Sequence, residues 1–177
     1  TGPSDVEEGG MPEEITVYGT ADLDMDENGI LRSADSIDWD TMIQNTVSWM
    51  RDEEDEVLND SFLSGVSSTA TDWYVFSLGR LGIQDNYSGF LAAADTYVRE
   101  MYEQNPSTGL SSTNATEWHR LTMAVLAAGG DPTSTGGRNL IADGVYNCLS
   151  GEPWEQGING AIWGLLALDS RGYAVPE

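Results

Sequence analysis

Chemistry in this chain has few places to reside. Its 177 residues hold one histidine, His119, and one cysteine, Cys148. What stands out is carboxylates set beside aromatics: Asp72, Trp73 and Tyr74 in one segment, Glu117, Trp118 and His119 in another. Aromatic rings stack on sugars and flat ligands, and carboxylates bind hydroxyls or cations, so the combination suits a polar binding pocket. Two carboxylates on facing helices are also the minimum equipment of a glycosidase. A polysaccharide lyase would draw instead on Tyr74, His119, Arg120 and Asn159. The structural alternative is local. Thr69-x-x-Asp72 and Asn114-x-x-Glu117 have the spacing of capping boxes, in which the acidic residue bonds back to the cap amide. Trp73 and Trp118 would then be core residues.

A second candidate lies in the acidic stretch Asp24 to Asp35. Asp24, Asp26, Asn28, the Ile30 carbonyl and Asp35 fall at positions 1, 3, 5, 7 and 12 of an EF-hand-type loop, with Gly29 at the sharp turn. The spacing predicts a weak calcium site. Aspartate at the last position favours monodentate ligation and no helix precedes the loop, so the match is to half of such a motif. A solvated acidic turn is the alternative. Cys148 alone excludes an internal disulfide and any multi-cysteine zinc site, and is expected as a buried thiol.

Charge narrows the partners. Thirty acidic residues face 7 basic ones, all arginine, for a net charge of −23. Such a surface repels phosphate backbones and anionic lipid, which makes nucleic acid and membrane surfaces poor candidate partners. With no lysine, the lysine–asparagine cross-links of surface adhesins cannot form. No apolar run reaches the roughly 18 residues of a membrane span. Residues 1–14, TGPSDVEEGGMPEE, have no basic or apolar leader character and are expected to be an acidic linker. Residues 15–35 hold a short extended segment and the acidic loop.

From Ser36 the pattern turns helical. Trp39, Met42, Ile43, Val47 and Met50 recur at three- and four-residue spacing, and Arg51 to Glu56 is expected as the solvated end of that helix. Further helices are predicted over Thr69–Leu81, closed by Gly82, from Tyr87 to the NPSTG turn, and from Asn114 to Gly129. Arg138–Leu149, interrupted by Gly144, and the apolar Ile158–Leu168 complete the set.

These helices repeat. ATDWYVFSLGRL (Ala70 to Leu81) aligns without a gap on ATEWHRLTMAVL (Ala115 to Leu126), 45 residues later, and INGAIWGLLAL (Ile158 to Leu168) lies a further 42 beyond. Asp72, Glu117 and Asn159 coincide in this register. The chain therefore reads as three antiparallel helix pairs over residues 36–177, each with an amphipathic outer and an apolar inner member.

TDWYVFSLGRLG, ATEWHRLTMAVLAAGGDPT and GINGAIWGLLALDSRGY resemble bacterial surface proteins carrying squalene-cyclase/prenyltransferase-type repeats. Those belong to the α/α-toroid superfamily, with transcobalamin and intrinsic factor. The resemblance implies an all-α fold forming an arc, about half, of a toroid. It also implies an extracellular or cell-surface setting. The inner-helix starts would then converge, bringing Asp72, Trp73, Tyr74, Glu117, Trp118, His119 and Asn159 together with Trp163 a turn further along. The superfamily's own chemistries are not expected. The D-x-D-D proton donor of terpenoid cyclases does not occur, and Cys148 and His119 stand in the reverse order for a prenyltransferase zinc site. The expected function is a non-catalytic extracellular module that recognises a small molecule, glycan or protein. The competing readings are a carbohydrate-active enzyme and a structural spacer. Half a toroid also leaves lateral faces open, which implies self-association or docking of a missing C-terminal half.

Overall fold

A computed structural model describes residues 38–151 and 153–175. They form α1 (Trp39–Met50), α2 (Asp60–Leu63), α3 (Thr69–Arg80), α4 (Tyr87–Gln104), α5 (Thr116–Ala127) and α6 (Ile158–Asp169). A π-helical turn at Ala142–Tyr146 and a 3-10 turn at Pro153–Gln156 precede α6. The only β-type pairing among the described residues is an isolated bridge between Thr135 and Arg138. The class is all-α, as the periodicity predicts. The linker at 1–14, the segment at 15–35 and the proposed calcium ligands Asp24, Asp26, Asn28, Ile30 and Asp35 lie outside the described residues.

The chain divides into two units between Thr46 and Val47. In the first, Asp38 caps α1: its carboxylate accepts the Thr41 amide at 3.0 Å and the Thr41 hydroxyl at 2.6 Å. Of the apolar residues read from Trp39 to Met50, Val47, which begins the second unit, is buried.

The second unit is organised around α5, whose residues Trp118, His119 and Leu121 to Val125 are all buried. The three segments that repeat in sequence, α3, α5 and α6, pack side by side with α5 in the middle. They run the same way. Asp72 near the start of α3 meets Arg120 near the start of α5, and the ends of all three helices border one cavity. A common closure explains the shared end: the amides of Ile83, Gly130 and Tyr173 reach back to the carbonyls of Leu78, Val125 and Leu168 at 2.8–3.0 Å. Each closure turns on a left-handed glycine, Gly82, Gly129 or Gly172, where a side chain would be strained. The rows approach closely, because a Cβ at Gly79 would lie 2.3 Å from the Ala127 carbonyl oxygen.

Behind this row, α4 pairs antiparallel with α5. Tyr102 at the end of α4 bonds Trp118 at the start of α5, while Leu91 lies against Gly130 beyond the end of α5. Phe90, Ala94, Val98 and Tyr102, spaced by four, form the buried stripe of α4. Burying each large apolar side chain of this core contributes roughly 1.5–3 kcal/mol.

Three local expectations are corrected. Arg51 to Glu56 is not a helix end but a tight turn. The Asp52 carboxylate accepts the Glu54 and Glu56 amides at 3.0 and 3.1 Å, and local acceptors outcompete the helix ladder. The helix expected over Arg138–Leu149 reduces to Leu140–Tyr146 and widens into the π turn, where the Asn147 amide reaches Ala142 at 2.7 Å. Gly144 there sits so close that a Cβ would lie 2.3 Å from Trp118 Cβ. Finally, α3 is capped by Ser68, which accepts the Thr71 amide at 3.2 Å, so Thr69 is not its cap. Cys148 is half-buried, and its thiol donates to the Val145 carbonyl at 3.1 Å.

Candidate functional site

Asp72 and Glu117 do come together, through a residue between them. Arg120 donates from Nε to Asp72 Oδ2 at 2.9 Å and from its terminal nitrogens to Glu117, one helical turn back on α5. Asp72 is fully buried and Glu117 is 25% exposed. The other Asp72 oxygen accepts the Ser67 amide at 3.0 Å, and the Ser67 carbonyl accepts from Arg120. This closed set holds Ser67, with φ of +64°, in the left-handed region that non-glycine residues avoid. Neither acidic residue bonds its cap amide: Asp72 takes the amide preceding the cap, and the Asn114 amide goes to Ser111 Oγ at 3.0 Å. Burial pushes the Asp72 carboxyl up to about 6, against the pull of the Arg120 guanidinium. The same two carboxylates raise Arg120, and the pair is ionised at neutral pH.

The other candidates separate. Trp118 is fully buried, its indole donating to the Tyr102 hydroxyl at 3.0 Å, and that hydroxyl donating to Asp143 at 2.6 Å. Burial first, and Asp143 second, push the Tyr102 hydroxyl far above its ordinary range, so it remains a donor. Arg138 covers the Tyr102 ring at 4.4 Å. His119 is 1% exposed and contacts the Gly144 carbonyl at 3.1 Å through Nε2. A carbonyl only accepts, so Nε2 carries the proton and Nδ1 is a bare acceptor, with no partner among the described residues. Burial lowers the His119 pKa, keeping the ring neutral. Tyr74 turns away to meet Phe62 edge-on at 5.2 Å, and Asn159 is exposed at the start of α6.

Trp73 and Trp163 do meet, with ring centroids 5.2 Å apart, although their helices are each packed on α5. Phe76 joins them edge-on to Trp73 at 5.6 Å. All three rings are half-buried. Beyond Phe76 the ends of α3, α5 and α6 enclose a cavity of about 270 Å³.

No family model, curated protein or solved structure matches the chain.

The arrangement therefore has two open features and one largely buried cluster. In that cluster Asp72 is fully buried, Glu117 is a quarter exposed, and both are held by Arg120. The open features are the end cavity and the outer flank of α6. That flank exposes Ile158, Ile162, Leu165 and Leu166, and a groove of about 460 Å³ runs along it to Tyr173 and Val175. Sequence reasoning underrated Arg120, whose i,i+3 spacing to Glu117 was a usable signal. It had no signal for Asp143 or for the cavity. Among the described residues no helix is long and apolar enough to cross a membrane.

Proposed function

We propose that this chain is a non-catalytic binding module from the outside of a bacterial cell. In this reading it is part of an α/α toroid of squalene-cyclase/prenyltransferase-type repeats and docks a protein partner on the flank of α6. The parallel order of α3, α5 and α6, the three repeated segments, supports the toroid-like arrangement. The commitment of Asp72 and Glu117 to one arginine speaks against a glycosidase, and the burial of His119 speaks against a lyase.

The observation that carries the reading is α6 itself. A helix apolar on every face belongs in an interior. One side of α6 is covered by α5, with Gly164, Ala167 and Leu168 buried, while the opposite side leaves Ile162, Leu165 and Leu166 about half exposed. A repeat that ends an array presents a polar outer face. The partner is accordingly another apolar helix of the same repeat kind. A second copy would have to overcome the repulsion between two chains of charge −23, so its association strengthens with salt.

Light scattering in roughly 0.5 M salt is the test, where charge screening is short-ranged. The expected result is a mass above that of one chain, returned to a monomer by Ile162→Glu with Leu166→Glu. A monomer at every salt concentration would exclude a second copy. Failure to bind an added helix-pair repeat as well would sink the docking reading. Turnover of a polysaccharide that is lost on Glu117→Gln would overturn the non-catalytic assignment.

A further inference from the structure

We infer that the cavity at the ends of α3, α5 and α6 is a binding site for a small organic anion with a flat apolar body, independent of the docking flank. Its lining is mixed: Phe76, Met123 and Leu126 supply apolar side chains, and Arg80, Ser170 and Arg171 polar ones. About 270 Å³ suits a ligand of one or two fused rings, near the lower end of small-molecule pockets.

The placement of the arginines makes the case. Among the described arginines, Arg51 and Arg120 pair with carboxylates, whereas Arg80, Arg99, Arg138 and Arg171 make no ion pair, and of these Arg80 and Arg171 line the same cavity. Arg51 bridges Asp55, Arg120 holds Asp72 and Glu117, and Arg138 covers Tyr102. Arg80 makes no ion pair with any described residue. Arg171 acts on Asp131 through charge and on Tyr173 through charge and a side-chain hydrogen bond. One Asp131 oxygen, however, is taken by the Thr133 amide and hydroxyl at 2.9 and 2.7 Å. A single arginine at a helix end complements the helix dipole wherever it points. Two on the lining of one cavity that also holds Phe76, Met123 and Leu126 go beyond what the dipole requires, and guanidinium groups are suited to carboxylate and sulfonate oxygens. Phe76 continues into the Trp73–Trp163 cluster, which gives the wall a stiff aromatic backing and places two indoles near any bound ring.

The test uses 8-anilinonaphthalene-1-sulfonate and its neutral analogue N-phenyl-1-naphthylamine, read by dye fluorescence and by energy transfer from tryptophan. A surface of charge −23 repels an anion everywhere except at a local positive site. The sulfonate is expected to bind more tightly than the analogue. Arg80→Gln with Arg171→Gln weakens it about tenfold and leaves the analogue unchanged. Ile162→Glu, on the α6 flank, changes neither. Both arginines are exposed, so the variant folds, and a salt series on the unaltered protein gives a second reading. Binding at the arginine pair weakens with salt, whereas anion binding elsewhere strengthens as global repulsion is screened. Equal affinity for the two dyes, indifference to the arginine pair, strengthening with salt, or loss on Ile162→Glu would each overturn the site.

Discussion

Arg120 is the residue on which the start of the inner row depends. It neutralises a fully buried carboxylate, so replacing it with methionine leaves Asp72 charged and unpaired in the interior. The expected cost at neutral pH is about 3–5 kcal/mol in a denaturant melt. The pH dependence of that variant carries its own sign. In the natural chain Asp72 has a folded pKa of about 6, above its ordinary 3.8, and loss of the Arg120 guanidinium, which lowers it, raises it further in the variant. Stability contributed by protonation is present at low pH and is lost as pH rises through that folded value. Arg120→Met is therefore expected to recover part of its loss on acidification from pH 7 to 5, and Asp72→Leu combined with it to remove the dependence. His119 behaves in the opposite sense. Its folded pKa is lowered, so its contribution is complete above the unfolded value of about 6.5 and falls as pH drops below it. The stability gap between the natural chain and His119→Gln should narrow on acidification below 6.5, by no more than about 1.4 kcal/mol per pH unit. A constant gap would mean that His119 is not held neutral by the fold.

At the scale of elements, glycine sets the spacing. Gly144 lets the π turn touch Trp118, and a Cβ there would sit 2.3 Å from the indole's own Cβ. Neither side can yield, because Trp118 is pinned by Tyr102 and the Gly144 carbonyl by His119. Gly144→Ala is expected to cost about 1–3 kcal/mol as overpacking, measured by urea unfolding. A neutral result would show the turn to be soft. The helices carrying the repeat were legible because their spacing is local: the stripes of α4 and α5 and the glycine stops at Gly82 and Gly129 are written within one or two turns. The turn at Arg51 to Glu56 is not legible locally, because charged residues suit a helix end and a solvated turn equally well.

For the whole molecule, a charge of −23 means that any bound cation relieves self-repulsion. Calcium at Asp24, Asp26, Asn28, the Ile30 carbonyl and Asp35 would act there as well as at its own loop. Calorimetric titration should detect one weak site, abolished by Asp24→Ala with Asp26→Ala. Millimolar calcium that produced neither heat nor a shift in Tm would end the idea.

The sequence by itself determined the helical class, the positions of α3 to α6 and the repetition of α3, α5 and α6, because helix periodicity and capping act over a few residues. Tertiary structure alone decided what the conspicuous side chains do. Asp72 and Arg120 are 48 residues apart in the chain and 2.9 Å apart in space, and only the parallel packing of α3 on α5 makes them partners. The same packing buries Trp118 and His119 against the π turn, gathers Trp73 with Trp163, and leaves one side of α6 open. Burial is a property of neighbours, and no local spacing encodes which neighbours arrive.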